Sequence, residues 1–99
     1  MSATSPISKN SSLDQLHKEY ESRAETARKY ARANFIFDLH DADTHYLKLL
    51  IAREEAYFNY KKAEVNDDAF FNHRYAPVIC HKIQQFKNRL ISIAGVGAL

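Results

Sequence analysis

Four side chains able to ligate a metal fall within six residues of this chain: His40, Asp41, Asp43 and His45. Imidazole nitrogens and carboxylate oxygens are the donors a divalent transition metal takes, and Asp41 and His45, four apart, would share one face of a helix. The same residue types also form turns and N-caps, because short polar side chains compete with a helical backbone for its hydrogen bonds. A turn accounts for all four, and no metal site is expected. A second group, His73, Cys80 and His81, offers a thiol beside imidazole bases. Pro77 separates His73 from Cys80, there is no C-x-x-C pair, and a lone cysteine usually packs as a small hydrophobe. The serines gather in the stretch 2–12, away from any histidine pattern, so a Ser-His-acid hydrolase has no support. Only two glycines occur, Gly95 and Gly97, which leaves no phosphate-cradling loop and no dinucleotide fingerprint. The residues that do chemistry elsewhere therefore point to a non-enzymatic protein with no cofactor and no metal.

The aromatic and charged residues carry more information. There are six Tyr and six Phe but no Trp. Tyr57, Phe58 and Tyr60 cannot share one face of a helix, and neither can Phe70 and Phe71, so at least one aromatic of each group is expected at a surface. Phe71 lies near Arg74 and Tyr75, and exposed aromatics beside arginine are the residue types that dominate binding hot spots. Residues 1–68 carry ten Lys or Arg against twelve Asp or Glu, whereas residues 69–99 carry four basic residues and no acid. The four are Arg74, Lys82, Lys87 and Arg89, with His73 and His81 beside them. Such a segment faces phosphates, an acidic protein, or the acidic parts of its own fold, and the last of these, or a solvated face, is the expected outcome.

The candidate partner-binding residues are accordingly Phe58, Phe71, Arg74, Tyr75, Lys82, Lys87 and Arg89. The function expected is a stoichiometric protein-binding module, an inhibitor, adaptor or regulatory subunit that covers a site on a larger protein. The alternative is a nucleic-acid-binding regulator that lays the acid-free segment against phosphates.

The elements that must position these residues are helices. Seventy consecutive residues between Pro6 and Pro77 contain neither Gly nor Pro, which argues against tight strand turns and for long helices joined by Asx-type turns. The fold class is all-α, a small bundle of three main helices. Ser12 followed by Gln15 is a capping-box pattern that starts the first helix at Ser12. Its apolar positions Leu13, Leu16, Tyr20, Ala24, Ala27, Ala31 and Phe35 line one face, with Glu19 to Arg23 and Glu25 to Lys29 outside. The small residues in its middle invite close packing. A turn is expected over 38–43; without it the first two helices would fuse into a rod about 80 Å long at 1.5 Å per residue, an obligate oligomer.

The second helix shows Tyr46, Leu49, Leu50, Ala56, Tyr57, Tyr60 and Ala63, and stops at 65–68, where Asn66 or Asp67 caps the next helix. The third begins at Asp67 and is kinked or broken near Pro77, beyond which Ile79, Ile83, Phe86, Leu90 and Ile93 form a clean stripe suited to a core face or to a homodimer seam. Gly95 ends it. The domain boundaries read as a flexible tail at 1–11, one helical domain at 12–94, and an apolar tail at 95–99 folded back over a groove. No apolar run approaches the ~20 residues that cross a bilayer, no signal-peptide core follows Met1, and the single Cys80 fits a reducing compartment, so a cytoplasmic protein without a membrane partner is expected.

Overall fold

A computed structural model describes residues 9–98 and shows four helices: α1 (Lys9–Ala33), α2 (Thr44–Val65), α3 (Asp68–Arg74) and α4 (Ala76–Ala94). Single 3-10 turns at Leu39–Asp41 and Val96–Ala98 complete the path, and no strand occurs among the described residues. α1 begins three residues before Ser12, so Ser12 and Gln15 lie inside the helix and do not mark its start. Nothing between Pro6 and Ser12 breaks a helix, and the first turn simply extends backwards. Of the tail assigned to 1–11, residues 9–11 are helical and residues 1–8 lie outside the described residues.

The break between the first two helices is built from specific hydrogen bonds. Ile36 N–H donates to the Ala31 carbonyl (2.9 Å) and Phe35 N–H to that of Arg32 (3.5 Å), the paired bonds of a Schellman end, with Phe35 at φ 56°. Phe35 therefore leaves the α1 stripe and stands 73% exposed, where the periodicity placed it on the buried face. The Asp38 carboxylate accepts from Asp41 N–H (3.2 Å), and that of Asp43 accepts from Tyr46 N–H (2.8 Å) to open α2. The fused rod is thereby excluded. Asn66, at φ 53°, closes α2, and Asp67 accepts from Phe70 N–H (3.0 Å) to open α3.

Near Pro77 the chain breaks at a single residue. Tyr75 N–H donates to Phe71 O (2.9 Å) and Tyr75 O accepts from Ile79 N–H (3.1 Å), while Pro77 sits in the first turn of α4, where its missing N–H costs no intrahelical bond. The third expected helix is thus two helices. Gly95, at φ 88°, terminates α4.

α2 is the central helix. α1 packs along it through Ala24 and Ala27, which are small enough to let the backbones approach, and α4 packs on it through Ile79 and Leu90. No Cα of α1 lies within 8 Å of a Cα of α4, so the three long helices make an open layer and not a closed bundle. Its extents are 50 × 31 × 24 Å and its radius of gyration is 16.1 Å; a compact domain of this length has about 13 Å. Ala42, Leu47 and Leu90 form the main buried cluster, flanked by Tyr46, Ile51 and Phe86. Removing a side chain such as Leu47 or Leu90 from water contributes about 1.5–3 kcal/mol.

Of the α4 stripe, Phe86 and Leu90 meet this cluster, Ile79 is buried and Ile83 half-buried, so the stripe is a core face and only Ile93 in its last turn is exposed. Leu47, fully buried, was absent from the expected α2 stripe, because a helix flanked on two sides buries more than one row. The apolar tail does not cover a groove: the Val96–Ala98 turn contacts only the adjoining α4, Val96 is 73% exposed, and Leu99 lies outside the described residues.

Candidate functional site

Two of the metal-capable residues of the first turn, Asp43 and His45, are engaged in structural contacts with Tyr30 and the start of α2. Tyr30 of α1 donates its hydroxyl to Asp43 Oδ2 (2.6 Å), and its ring packs against His45 (4.6 Å between centroids) and Tyr46 (6.3 Å). The Tyr30 hydroxyl and the Tyr46 backbone N–H hold the Asp43 carboxyl below its ordinary pKa, and the same bond raises that of Tyr30. Among the described residues no three His, Cys, Asp or Glu side chains converge on a point that would hold a metal.

The turn instead presents apolar groups. Phe37 is 84% exposed, Phe35 73% and Leu39 41%. Of the three, Phe37 and Leu39 line a recess of about 210 Å³, with Asp38 of the turn, Tyr46 and Arg53 of α2, and Phe86 of α4. None of these three is among the binding residues expected from the sequence. For Phe37 and Leu39 the available signal was their place in an Asp- and His-rich stretch, off any helical period, where nothing in the fold obliges them to be covered; Phe35 sat on the α1 period and gave no such signal.

A second feature is the gap that α1 and α4 leave over α2. It is a groove of about 550 Å³ lined by Arg23 of α1, Glu55, Phe58 and Asn59 of α2, and Cys80 and Ile83 of α4. Arg23 spans part of it, donating to Glu19 Oε2 (2.6 Å) and to the Ala52 carbonyl (3.0 Å). Cys80 is exposed here and does not pack as a core hydrophobe.

A third is the junction of α2 and α3. Tyr57, Tyr60 and Tyr75 surround Lys61, whose Nζ lies 5.9, 5.7 and 5.5 Å from their ring centroids. Glu64 accepts from Lys61 Nζ (2.5 Å) and from the Tyr60 hydroxyl (2.8 Å). These bonds raise the pKa of Lys61 and Tyr60 and lower that of Glu64. The tyrosine cage is thus filled by the chain's own lysine.

The seven expected partner-binding residues do not form one surface. Phe71 is wholly buried, and this corrects its assignment as an exposed anchor. Its ring meets Phe58 edge-on (4.9 Å) and Tyr75 stacked (6.1 Å), sealing the end of the α2, α3 and α4 packing, while its neighbour Phe70 turns outward at 48% exposure. One of the pair had to face out, and the way α3 docks on α2 and α4 decides which. Phe58 and Tyr75 are half-buried, Phe58 opening on the groove. Tyr57, Phe58 and Tyr60 are all half-buried, none fully outside, because α2 is flanked on both sides.

Arg74 and Lys82 are exposed and Lys87 is half-buried. No carboxylate lies within 4 Å of any of the three among the described residues, so of the two expected outcomes, pairing with the fold's own acids or a solvated face, Arg74 and Lys82 take the second. Arg89 is committed to the structure: Nη2 donates to the His40 carbonyl (3.1 Å), tying α4 to the 3-10 turn, and its Nε is buried without a partner. Of these basic residues Lys82 lines a shallow recess of about 500 Å³, with Pro77, Val78, His81 and Gln85.

In class the molecule is an all-helical protein, an open layer of three long helices with a short fourth. No helix among its described residues is long and apolar enough to cross a membrane. No family model, curated protein or solved structure matches the chain.

Proposed function

We propose that this chain is a small non-enzymatic module that binds a larger protein stoichiometrically, as an inhibitor, adaptor or regulatory subunit. The observation that carries the reading is the exposed apolar turn between α1 and α2, with Phe37 at 84% and Phe35 at 73% exposure. Aromatic side chains held in water by an ordered, hydrogen-bonded turn bring large contact area at a low cost in conformational entropy, which is the character of an interface anchor. The open packing of α1 and α4 adds to it, since a second chain laid over the layer buries surface that the chain alone leaves wet.

The test is capture of partners by the tagged full chain from cells that make it, with and without nuclease and at moderate salt. One protein recovered in equimolar amount after nuclease, and lost from a Phe37→Asp variant that melts like the wild type, is the expected result. Nucleic acid recovered instead, with proteins lost on nuclease treatment, would transfer the reading to a nucleic-acid-binding regulator working through Arg74, Lys82 and Lys87.

A further inference from the structure

We infer that the outer face of α4 around Val78 is a docking site for an acidic amphipathic helix of a partner protein. This inference rests on the binding-module reading above and names the chemistry of one partner segment. Val78 is 56% exposed and stands in the shallow recess with Pro77, His81, Lys82 and Gln85. Lys82 follows Val78 by four residues, one turn on along α4, and the exposed Arg74 closes α3 just before the break at Tyr75, so an exposed apolar side chain has an exposed cation on either side of it along the chain.

Neither cation has a carboxylate within 4 Å among the described residues. The chain supplies no acid anywhere over 69–99. An apolar centre between two unneutralised positive charges is the complement of a helix bearing an apolar residue with Glu or Asp about one turn away on each side. From Pro77 to Gln85 the recess runs about 12 Å along α4 at helical rise, which spans about two turns of such a ligand.

Two other occupants fit the same face less well. A second copy of this chain laid on it by a twofold axis would bring Lys82, His81 and Arg74 against the same basic set, and like charges in apposition are repulsive. A nucleic-acid backbone rewards a dense row of cations; two exposed ones around a valine and a proline give it few phosphate contacts and leave the apolar centre unused.

The experiment is a fluorescence-anisotropy titration of the full chain with a labelled 15-residue helical peptide carrying Leu at i, i+4 and Glu one turn to either side. A peptide with Lys in place of Glu and a short DNA duplex are titrated in parallel. The expected result is binding of the Glu peptide alone, weakened about tenfold or more by Val78→Asp and by Lys82→Glu, and several-fold between 50 and 300 mM salt. Lys82→Gln should fall between wild type and Lys82→Glu. Because both side chains are exposed, each variant should melt like the wild type.

Equal binding of the Glu and Lys peptides overturns the proposal, as does duplex binding that Val78→Asp leaves intact. So does a self-association, seen by sedimentation, that Val78→Asp abolishes. The two readings fail separately: partner capture lost with Phe37→Asp but untouched by Val78→Asp and Lys82→Glu keeps the binding module and removes this face from it.

Discussion

Replacing Phe71 with alanine sets the core reading of that residue against the surface reading its sequence context suggests. Its side chain is 0% exposed and its ring is enclosed by Phe58 and Tyr75. Truncation removes the burial of most of a phenyl ring and leaves a cavity that short α3, held between Asp67 and Tyr75, closes only in part; such changes cost about 3–5 kcal/mol. A 99-residue chain has a total stability of roughly 5–15 kcal/mol. At about 4–8 °C per kcal/mol for a domain of this size, Phe71→Ala should lower Tm by at least about 12 °C.

The adjacent Phe70→Ala is the control. Phe70 is 48% exposed and touches Tyr75 edge-on at 6.1 Å, so its loss should cost about 1 kcal/mol and only a few degrees. The assay is circular dichroism at 222 nm on heating, with urea titration to confirm that the midpoint moves while the slope does not. A Phe71→Ala protein that melts within 3 °C of wild type, or a Phe70→Ala protein that loses as much, would refute the placement of Phe71 at the packing centre of α2, α3 and α4.

Two further outcomes are expected at the α1–α2 turn. Asp43 has a folded-state pKa held below its ordinary value by Tyr30 and the Tyr46 N–H, so its ionised form stabilises the fold above the unfolded pKa, and that contribution is lost as pH falls through the depressed folded value. Thermal melts between pH 7 and pH 3 should therefore show Tyr30→Phe less stable than wild type near neutrality and the two converging at the acid end; a gap that stays constant over the series would show that the hydrogen bond is not linked to Asp43 ionisation. Phe35 occupies the left-handed region with its side chain mostly in water, so Phe35→Gly removes strain at little burial cost and should stabilise by about 0.5–1 kcal/mol. A lower Tm for Phe35→Gly, read in the same melts, would contradict the Schellman ending of α1.

The gap free of Gly and Pro, the caps at Asp43 and Asp67, the breaker at Pro77 and the stop at Gly95 are local features. A backbone hydrogen bond to the residue three ahead, a missing N–H or a left-handed φ acts within one turn, and each is decided by neighbours in the chain. For that reason the helical class, the separation of α1 from α2 and the end of α4 were legible from residue order alone. The stripes of α1 and α4 were legible too, because α1 packs on α2 alone and α4 chiefly on α2, which leaves each with one apolar row.

The tertiary structure decided what depends on how many neighbours a helix has and where they lie. α2 lies between α1 and α4, so Leu47 on one row and Ala56 on another are both buried, and Tyr57, Phe58 and Tyr60 are all half-covered where one outward aromatic was expected. Phe70 and Phe71 are equivalent by type, and only the direction in which α3 docks buries one and exposes the other. Arg74, Lys82 and Arg89 are equivalent by charge, yet Arg89 is drawn to the His40 carbonyl while the other two stand in solvent with no carboxylate within 4 Å among the described residues. Burial and pairing are contacts between residues far apart in the chain, as are Arg89 and His40, and spacing along one helix carries no information about which distant group arrives to meet it.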